Sequence, residues 1–272
     1  GSRLDTKATG SPVHTFARDA VKVMVDVDPA ELGKFEHFGL SMNVLIESDA
    51  RYFLRATDAL IFPAITPQWQ EYRDATEEAC EQFDRSRRVG LGVNPYEFTL
   101  HLGASAPAEM DVFVDTGCAL PWIMTGFVPK SGQRIMHDLN NTAMGWSLPA
   151  TIGGFVASPE RPNVCVIGDG SLMMSMHDLV TLSAINPRAR LVLIDNSGYS
   201  MIRQTQDQWL GSSYHSSSQE GGLPFPAYDQ LAGSTGYDFM NLSLDDDVDA
   251  TLGKFWSSQR PVFLRVEIDP AW

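Results

Sequence analysis

From about residue 90 onward, short β-prone runs alternate with longer helix-like segments: "DVFVD" (111–115), "RIMH" (134–137), "VCVI" (164–167), "RLVLID" (190–195), "DFMNL" (238–242) and "VFLRVEI" (262–268). This alternation constrains the fold more than any other feature. Strands that leave through a helix and return pair in parallel, and a parallel sheet needs helices on both faces to cover it. The expected fold is therefore α/β, a doubly wound six-stranded parallel sheet occupying residues 90–272. Asn94-Pro95-Tyr96-Glu97 marks its first helix, with a capping side chain, a proline suited to the first helical position and an acid in the first turn.

The upstream residues read differently. Residues 1–62 hold two strand-like runs, "VKVMVDVD" (21–28) and "NVLIES" (43–48), around "PAELGKF". Two strands leave a sheet edge and much apolar surface uncovered, so this segment is expected to be the tail of a domain whose beginning is on another chain or was removed. Residues 63–89 form the expected linker. In it "FPAITPQ" (62–68) is a stiff connector, and Trp69, Tyr72, Ala79, Cys80 and Phe83 recur at the spacing of an amphipathic helix packed on the domain's side. The longest irregular stretch, "QDQWLGSSYHSSSQEGGLPFP" (206–226), has the length of a lid or a partner-binding segment.

Charge and cysteine usage exclude several classes. With 34 acidic against 20 basic residues the chain carries a formal charge of -14, which argues against nucleic-acid and anionic-membrane surfaces. Cys80, Cys118 and Cys165 show no CxxC or His-linked spacing, so neither a disulfide framework nor a zinc site is expected. There is no long apolar run and no charged-then-apolar leader, so a cytoplasmic protein is expected. The six histidines show no ligand spacing, although His215 lies in the Ser-rich stretch where a substrate could meet it. No GxGxxG follows a strand, which leaves a nucleotide-binding oxidoreductase without its fingerprint.

The chemistry gathers at strand ends, where ligands of doubly wound sheets collect. Gly168 and Gly170 allow a sharp turn and close approach, and a helix beginning near Ser171 would offer unpaired N–H groups to a phosphate. Asp169 beside that phosphate would place two anions together, which calls for a divalent cation between them. Asn196, at the end of the next strand, follows Asp169 by 27 residues, about one strand-helix-strand repeat. A carboxylate, an amide oxygen and a carbonyl near Gly198, with two diphosphate oxygens and a water, would make the six oxygen ligands that Mg²⁺ prefers. Other readings stay open on the residues alone: GDG as an ordinary turn, Asn196 as a turn former and Met144 as core.

"GDGSLMMSMHDLVTLSAINPRARLVLIDNSGYSMIRQTQ" (168–206) resembles the diphosphate- and metal-binding motif of thiamine diphosphate-dependent enzymes, in the branch of acetolactate synthase and related 2-oxoacid decarboxylases. "GSRLDTKATG" and "VMVDVDPAEL" resemble the later part of that branch's central domain, which makes residues 1–62 a partial Rossmann-like central domain, and "VNPYEF", "VDTG", "GQRI", "AMGWSLPATIGG" and "PVFLRVEID" resemble successive landmarks of its cofactor-binding domain. The resemblance implies thiamine diphosphate and Mg²⁺ as cofactors. It makes Asp169, Asn196 and the Gly198 carbonyl metal ligands, and Gly168, Gly170 and Ser171 contacts to the diphosphate. It makes Met144 the residue that props the cofactor into its bent, reactive shape, with Gly117 and Met201 also lining the cofactor. FAD, which some relatives hold beside the central domain, is left open.

Two departures qualify the resemblance. Cys118-Ala119 follow "DTG" where relatives often carry a polar pair, and Thr205 stands where acetolactate synthases have a tryptophan that helps select the second substrate. Met201 and Gln206 remain candidates to line the acceptor side. The implied activity is decarboxylation of a pyruvate-like 2-oxoacid with transfer to an acceptor. The family's catalytic glutamate belongs to a pyrimidine-binding domain, so the chain is expected to be either a cofactor-binding subunit, with a partner polypeptide supplying that glutamate in a hetero-oligomer such as a dimer of heterodimers, or the C-terminal half of a longer enzyme. The alternative is a noncatalytic assembly or regulatory subunit that retains the fold.

Overall fold

The computed structural model describes residue 4 and residues 6–10, 12–86 and 92–270. Most of "GSRLD", the stretch that resembles the flavin-side segment, and the end of the expected 63–89 linker lie outside the described residues. The chain divides into two compact units, residues 1–77 and 78–272.

The first unit contains α1 (Thr6–Thr9), β1 (Val23–Asp26), α2 (Pro29–Gly33), β2 (Val44–Glu47) and α3 (Ala50–Thr57). β1 and β2 pair in parallel, and Met24, Leu32, Phe35 and Leu40 form a small core on them. Asp28 and Asp49 start α2 and α3 by accepting backbone N–H groups with their side chains. α4 (Pro67–Ser86) forms as the periodicity predicts, but it is not packed as expected. Its residues from Pro67 to Cys80 are exposed, and Trp69 and Tyr72 meet each other edge-on at 5.6 Å instead of entering a core. Helical spacing identifies an apolar face without supplying the surface to cover it.

The second unit is the six-stranded parallel sheet. After α5 (Pro95–Ser105) come β3 (Asp111–Val114), α6 (Ala119–Gly126), β4 (Arg134–His137), α7 (Ser147–Ala157), β5 (Asn163–Gly168), α8 (Asp169–Ser175), α9 (Asp178–Ile185), β6 (Arg190–Asp195), α10 (Ser200–Trp209), α11 (Tyr228–Ser234), β7 (Asp238–Leu242), α12 (Val248–Ser257) and β8 (Val262–Glu267). All six strands pair in parallel in the order β4-β3-β5-β6-β8-β7. Side chains alternate across the sheet with period two. Val164, Val166, Val192 and Ile194 pack against Phe98, Ile123 and Phe255 on one face, while Cys165, Ile167, Leu191 and Leu193 pack against Leu148, Leu179 and Leu182 on the other. Burial on both faces explains the continuous apolar runs in the central strands.

The strand order reverses at β3, which has β4 on one side and β5 on the other. A crevice at the carboxyl ends of β3 and β5 follows, and such a switch point is where open α/β sheets take ligands. Asp115 follows β3 there and Asp169 follows β5.

The opposite end of the sheet is locked by charge. Asp111, with its side chain 4% exposed, accepts from Arg134 Nε at 2.7 Å and Nη2 at 2.5 Å, and from Arg161 Nε at 2.6 Å. Burial alone would raise the Asp111 carboxyl, but the two guanidinium groups outweigh it and hold the carboxyl below its ordinary value of 3.8. A depressed value stabilises the fold above about pH 4, and the contribution disappears as pH falls through the lowered value. Asp111→Asn should therefore be less stable by roughly 1–2 kcal/mol near neutral pH, allowing for the solvent around half-exposed Arg134. In urea unfolding the gap between variant and parent should close below about pH 4; a gap independent of pH would refute the ion-pair account.

Candidate functional site

β5 and β6 are neighbours, with Cys165 opposite Leu191 and Gly168 opposite Ile194, so both strands deliver their ends to one rim. β5 ends in Gly168, and α8 begins at Asp169, two residues before the expected Ser171. Asp169 is 2% exposed. Its Oδ1 accepts from Gly170 N at 2.6 Å and its Oδ2 from Gly198 N at 2.8 Å, which brings the two strand ends into direct hydrogen-bond contact.

Asn196 is buried and donates its amide to Ser200 Oγ at 2.6 Å, so the amide oxygen points away from Ser200. Arg203 fixes the same turn by donating to the Asn196 carbonyl at 3.0 Å and to Ser200 Oγ at 2.6 Å. Asp195 lies beside Asp169 and is itself held by an ion pair with Arg265 at 2.7 Å.

The electrostatics of this rim are unfavourable to the protein alone. Burial, followed by the charge on Asp195, pushes the Asp169 carboxyl up to about 8, although the Gly198 and Gly170 N–H groups pull it down. A cation beside Asp169 would relieve both penalties. Among the described residues there is no group of three or more His, Cys, Asp or Glu side chains suited to a metal. The donors available here are one carboxylate, one amide oxygen and a backbone carbonyl, a hard-oxygen set that fits Mg²⁺ completed by ligand and water oxygens, and does not fit zinc.

The glycines of the motif are demanded by close packing. A Cβ at Gly170 would lie 2.0 Å from the Tyr199 ring, and one at Gly198, where φ is +148°, would lie 2.3 Å from the Ser217 carbonyl oxygen. Gly198→Ala should cost about 2–3 kcal/mol of stability and, if the carbonyl of this strained turn serves a Mg²⁺ ion, weaken Mg²⁺ binding by roughly tenfold or more. Thermal unfolding and calorimetric titration measure the two effects, and an unchanged Mg²⁺ affinity would remove Gly198 from the ligand set.

The remaining predicted positions fall around the same rim. Gly117, at φ +78°, follows β3. Cys118 stands at the start of α6, where burial raises its thiol to about 11, while Arg203 lowers it and Asp169 raises it; the three strand ends therefore share one electrostatic neighbourhood. Ser171 is buried in the first turn of α8. Met144 is 40% exposed and Met201 44%, so neither is a core residue.

The 206–226 stretch is not a free lid: α10 runs through Trp209, and Ser217 and Ser218 are buried against the Asn196–Gly198 turn. Gly198 forms an antiparallel bridge with Ser218, and Tyr199 N donates to Ser217 O at 3.0 Å. The fastening residue is Gln206. It is buried, accepts from Ser217 Oγ at 2.5 Å and donates to the His215 carbonyl at 3.2 Å, which straps the segment down. The His215 residue itself is exposed.

Sequence reasoning missed Asp115, which is fully buried and accepts from the backbone of the Met144 loop. The signal was available: Asp115-Thr116-Gly117 follows its strand much as Asp169-Gly170 follows β5.

Comparison with known proteins bears on this rim directly. Over 270 residues the chain is 28% identical to the acetolactate synthase isozyme 2 large subunit of Escherichia coli (strain K12), covering 99% of this chain and 47% of that protein. It is 27% identical to the acetolactate synthase of Arthrospira platensis, over 98% of this chain and 45% of the relative. The chain thus spans about half the length of the curated relatives it matches. Among solved structures, a thiamine diphosphate-dependent 4-hydroxybenzoylformate decarboxylase from Rhodococcus jostii RHA1 shares the fold, with a TM-score of 0.58 and 18% identity over 66% of this chain and 33% of that one. The family model described as thiamine pyrophosphate enzyme, C-terminal TPP binding domain, matches residues 115–266, a span that opens on Asp115, takes in Asp169, Asn196 and Gly198, and closes in the last strand of the sheet. A parallel sheet whose switch point gathers these groups, matched over more than half its length by that model, makes this chain a member of the thiamine pyrophosphate-binding C-terminal domain family.

Proposed function

We propose that this chain supplies the diphosphate- and metal-binding side of a thiamine diphosphate-dependent active site that decarboxylates a pyruvate-like 2-oxoacid and passes the product to an acceptor. The observation that supports this most is the buried Asp169 carboxylate, tied to the Gly170 and Gly198 N–H groups and facing the charge of Asp195. Asp169, the Asn196 amide oxygen and the Gly198 carbonyl would hold Mg²⁺. Gly168, Gly170 and Ser171 would meet the diphosphate at the first turn of α8, and Gly117, Met144 and Met201 would line the rest of the cofactor. When bound, thiamine diphosphate supplies an electron sink for the pair released as CO₂ departs.

The chain's own work is positional. Arg203 and Ser200 hold the Asn196 turn, and the Gln206–Ser217 contact holds the segment that backs Gly198. Exposed Thr205, whose hydroxyl is turned back to the Met201 carbonyl at 3.2 Å, puts a small side chain on the acceptor side and favours an acceptor other than that of ordinary acetolactate synthesis. The acidic group that protonates the cofactor's aminopyrimidine is assigned to a pyrimidine-binding domain outside these 272 residues, carried by a partner polypeptide in a hetero-oligomer or by a further part of the same protein. The curated relatives named as large subunits accord with a multi-subunit assembly.

Calorimetry of the full chain with Mg²⁺ tests the cofactor assignment: thiamine diphosphate should bind, weakly without the partner, and NAD should not. The reverse preference would end this reading. Thiamine diphosphate-dependent CO₂ release from pyruvate should need a pyrimidine-domain polypeptide; full activity from the chain alone would remove the partner from the proposal.

A further inference from the structure

The loop that carries Met144 is held by a residue outside the ion site. Thr142 and Gly145 both lie at positive φ, +52° and +81°. For a β-branched residue such as Thr142 that conformation persists only where its surroundings impose it. Thr142 N donates to the Asp138 carbonyl at 2.9 Å, and at Gly145 the restraint comes from Asp115, fully buried at the carboxyl end of β3. Its Oδ1 accepts from Gly145 N at 3.0 Å and its Oδ2 from Ser147 N at 2.8 Å, so both oxygens are spent on one three-residue stretch. Hydrogen bonds to a buried carboxylate are among the stronger kinds, and losing the acceptor strands two buried donors. From the other side the loop rests on α8: a Cβ at Gly145 would lie 2.9 Å from Met174 Cβ and 3.1 Å from the Ser171 carbonyl oxygen. The backbone at 145–147 is gripped between β3 and α8, while neighbouring Met144 is 40% exposed.

We propose that Asp115 is a positioning residue: it fixes the 145–147 backbone and so determines where Met144 meets the cofactor's rings. This role rests on the cofactor reading above. It separates two parts of the site, since the diphosphate tail would sit on α8 and the Asn196 turn, which Asp115 does not touch.

Hydrogen exchange on the unmutated full chain gives the first test. The Gly145 and Ser147 amides should be protected like those of the central strands; exchange as fast as that of the exposed residues 140–143 would overturn the proposal without any variant. The second test compares Asp115→Asn with the parent by titration with Mg²⁺-thiamine diphosphate and, separately, Mg²⁺-pyrophosphate. An amide offers one acceptor where the carboxylate offers two, so exchange across 144–147 should quicken by roughly tenfold or more. Affinity for thiamine diphosphate should fall about tenfold, with pyrophosphate affinity within about twofold of the parent. Equal losses for both ligands would show a general structural role and overturn the proposal, as would an indifferent variant. If the unmutated chain binds neither ligand, the cofactor reading itself falls and takes this role with it.

Discussion

Asp169→Asn should make the protein no less stable without Mg²⁺, and more stable by about 1 kcal/mol or so above neutral pH, while abolishing the stabilisation that Mg²⁺ and thiamine diphosphate confer on the parent. The carboxylate is buried, is disfavoured by that burial and by the charge of Asp195, and has only two backbone N–H groups to offset them. An amide keeps the shape and one acceptor and removes the penalty of a buried charge. Such a gain in stability at the expense of function is the usual signature of a site that holds strain or charge for its ligand. With the partner present, turnover should fall by about a thousandfold or more, since an ion that tethers the reacting cofactor contributes several kcal/mol. Thermal unfolding with and without Mg²⁺, alongside CO₂ release, reads both effects. A Mg²⁺-dependent rise in melting temperature equal to the parent's would rule Asp169 out as a ligand.

Met144→Ala should show the opposite separation, with small effects on folding and a large one on turnover. At 40% exposure the side chain contributes little burial, so the stability change should stay under about 1 kcal/mol. If Met144 sets the bend of the cofactor, however, its loss misplaces reacting atoms by an ångström or more, which costs about a hundredfold in rate. Met144→Leu, of similar bulk, should recover most of that loss, and kcat should carry the deficit more than the KM for the 2-oxoacid. A variant equal to the parent in kcat would reduce Met144 to an incidental surface residue.

Much of this architecture is visible in the sequence because the central strands are buried on both faces. "VCVI" and "RLVLID" are continuous apolar runs for that reason, and the strand ends follow from where those runs stop. The ion-site candidates were legible too, since one strand-helix-strand repeat fixes the interval between Asp169 and Asn196. The contacts that were not legible join residues with no periodic relation. Asp115 reaches N–H groups 30 and 32 residues later. Ser217 is buried because the Gln206 amide satisfies its hydroxyl, and in a run of serines and glycines nothing marks one hydroxyl as interior. Trp69 and Tyr72 show the converse, a helical period that is real and yet not matched by burial.

The bridge between Gly198 and Ser218 has a bearing on how this protein could be re-engineered. The Asn196–Gly198 turn and the segment lying across it form one mechanical unit, fastened at Tyr199 and again through Gln206. Transplanting residues 210–226 from a relative, as one would to alter substrate range, would carry in a foreign carbonyl at 217 and tilt the turn beneath it. Exchanges that respect this seam need to take 196–226 as a single cassette.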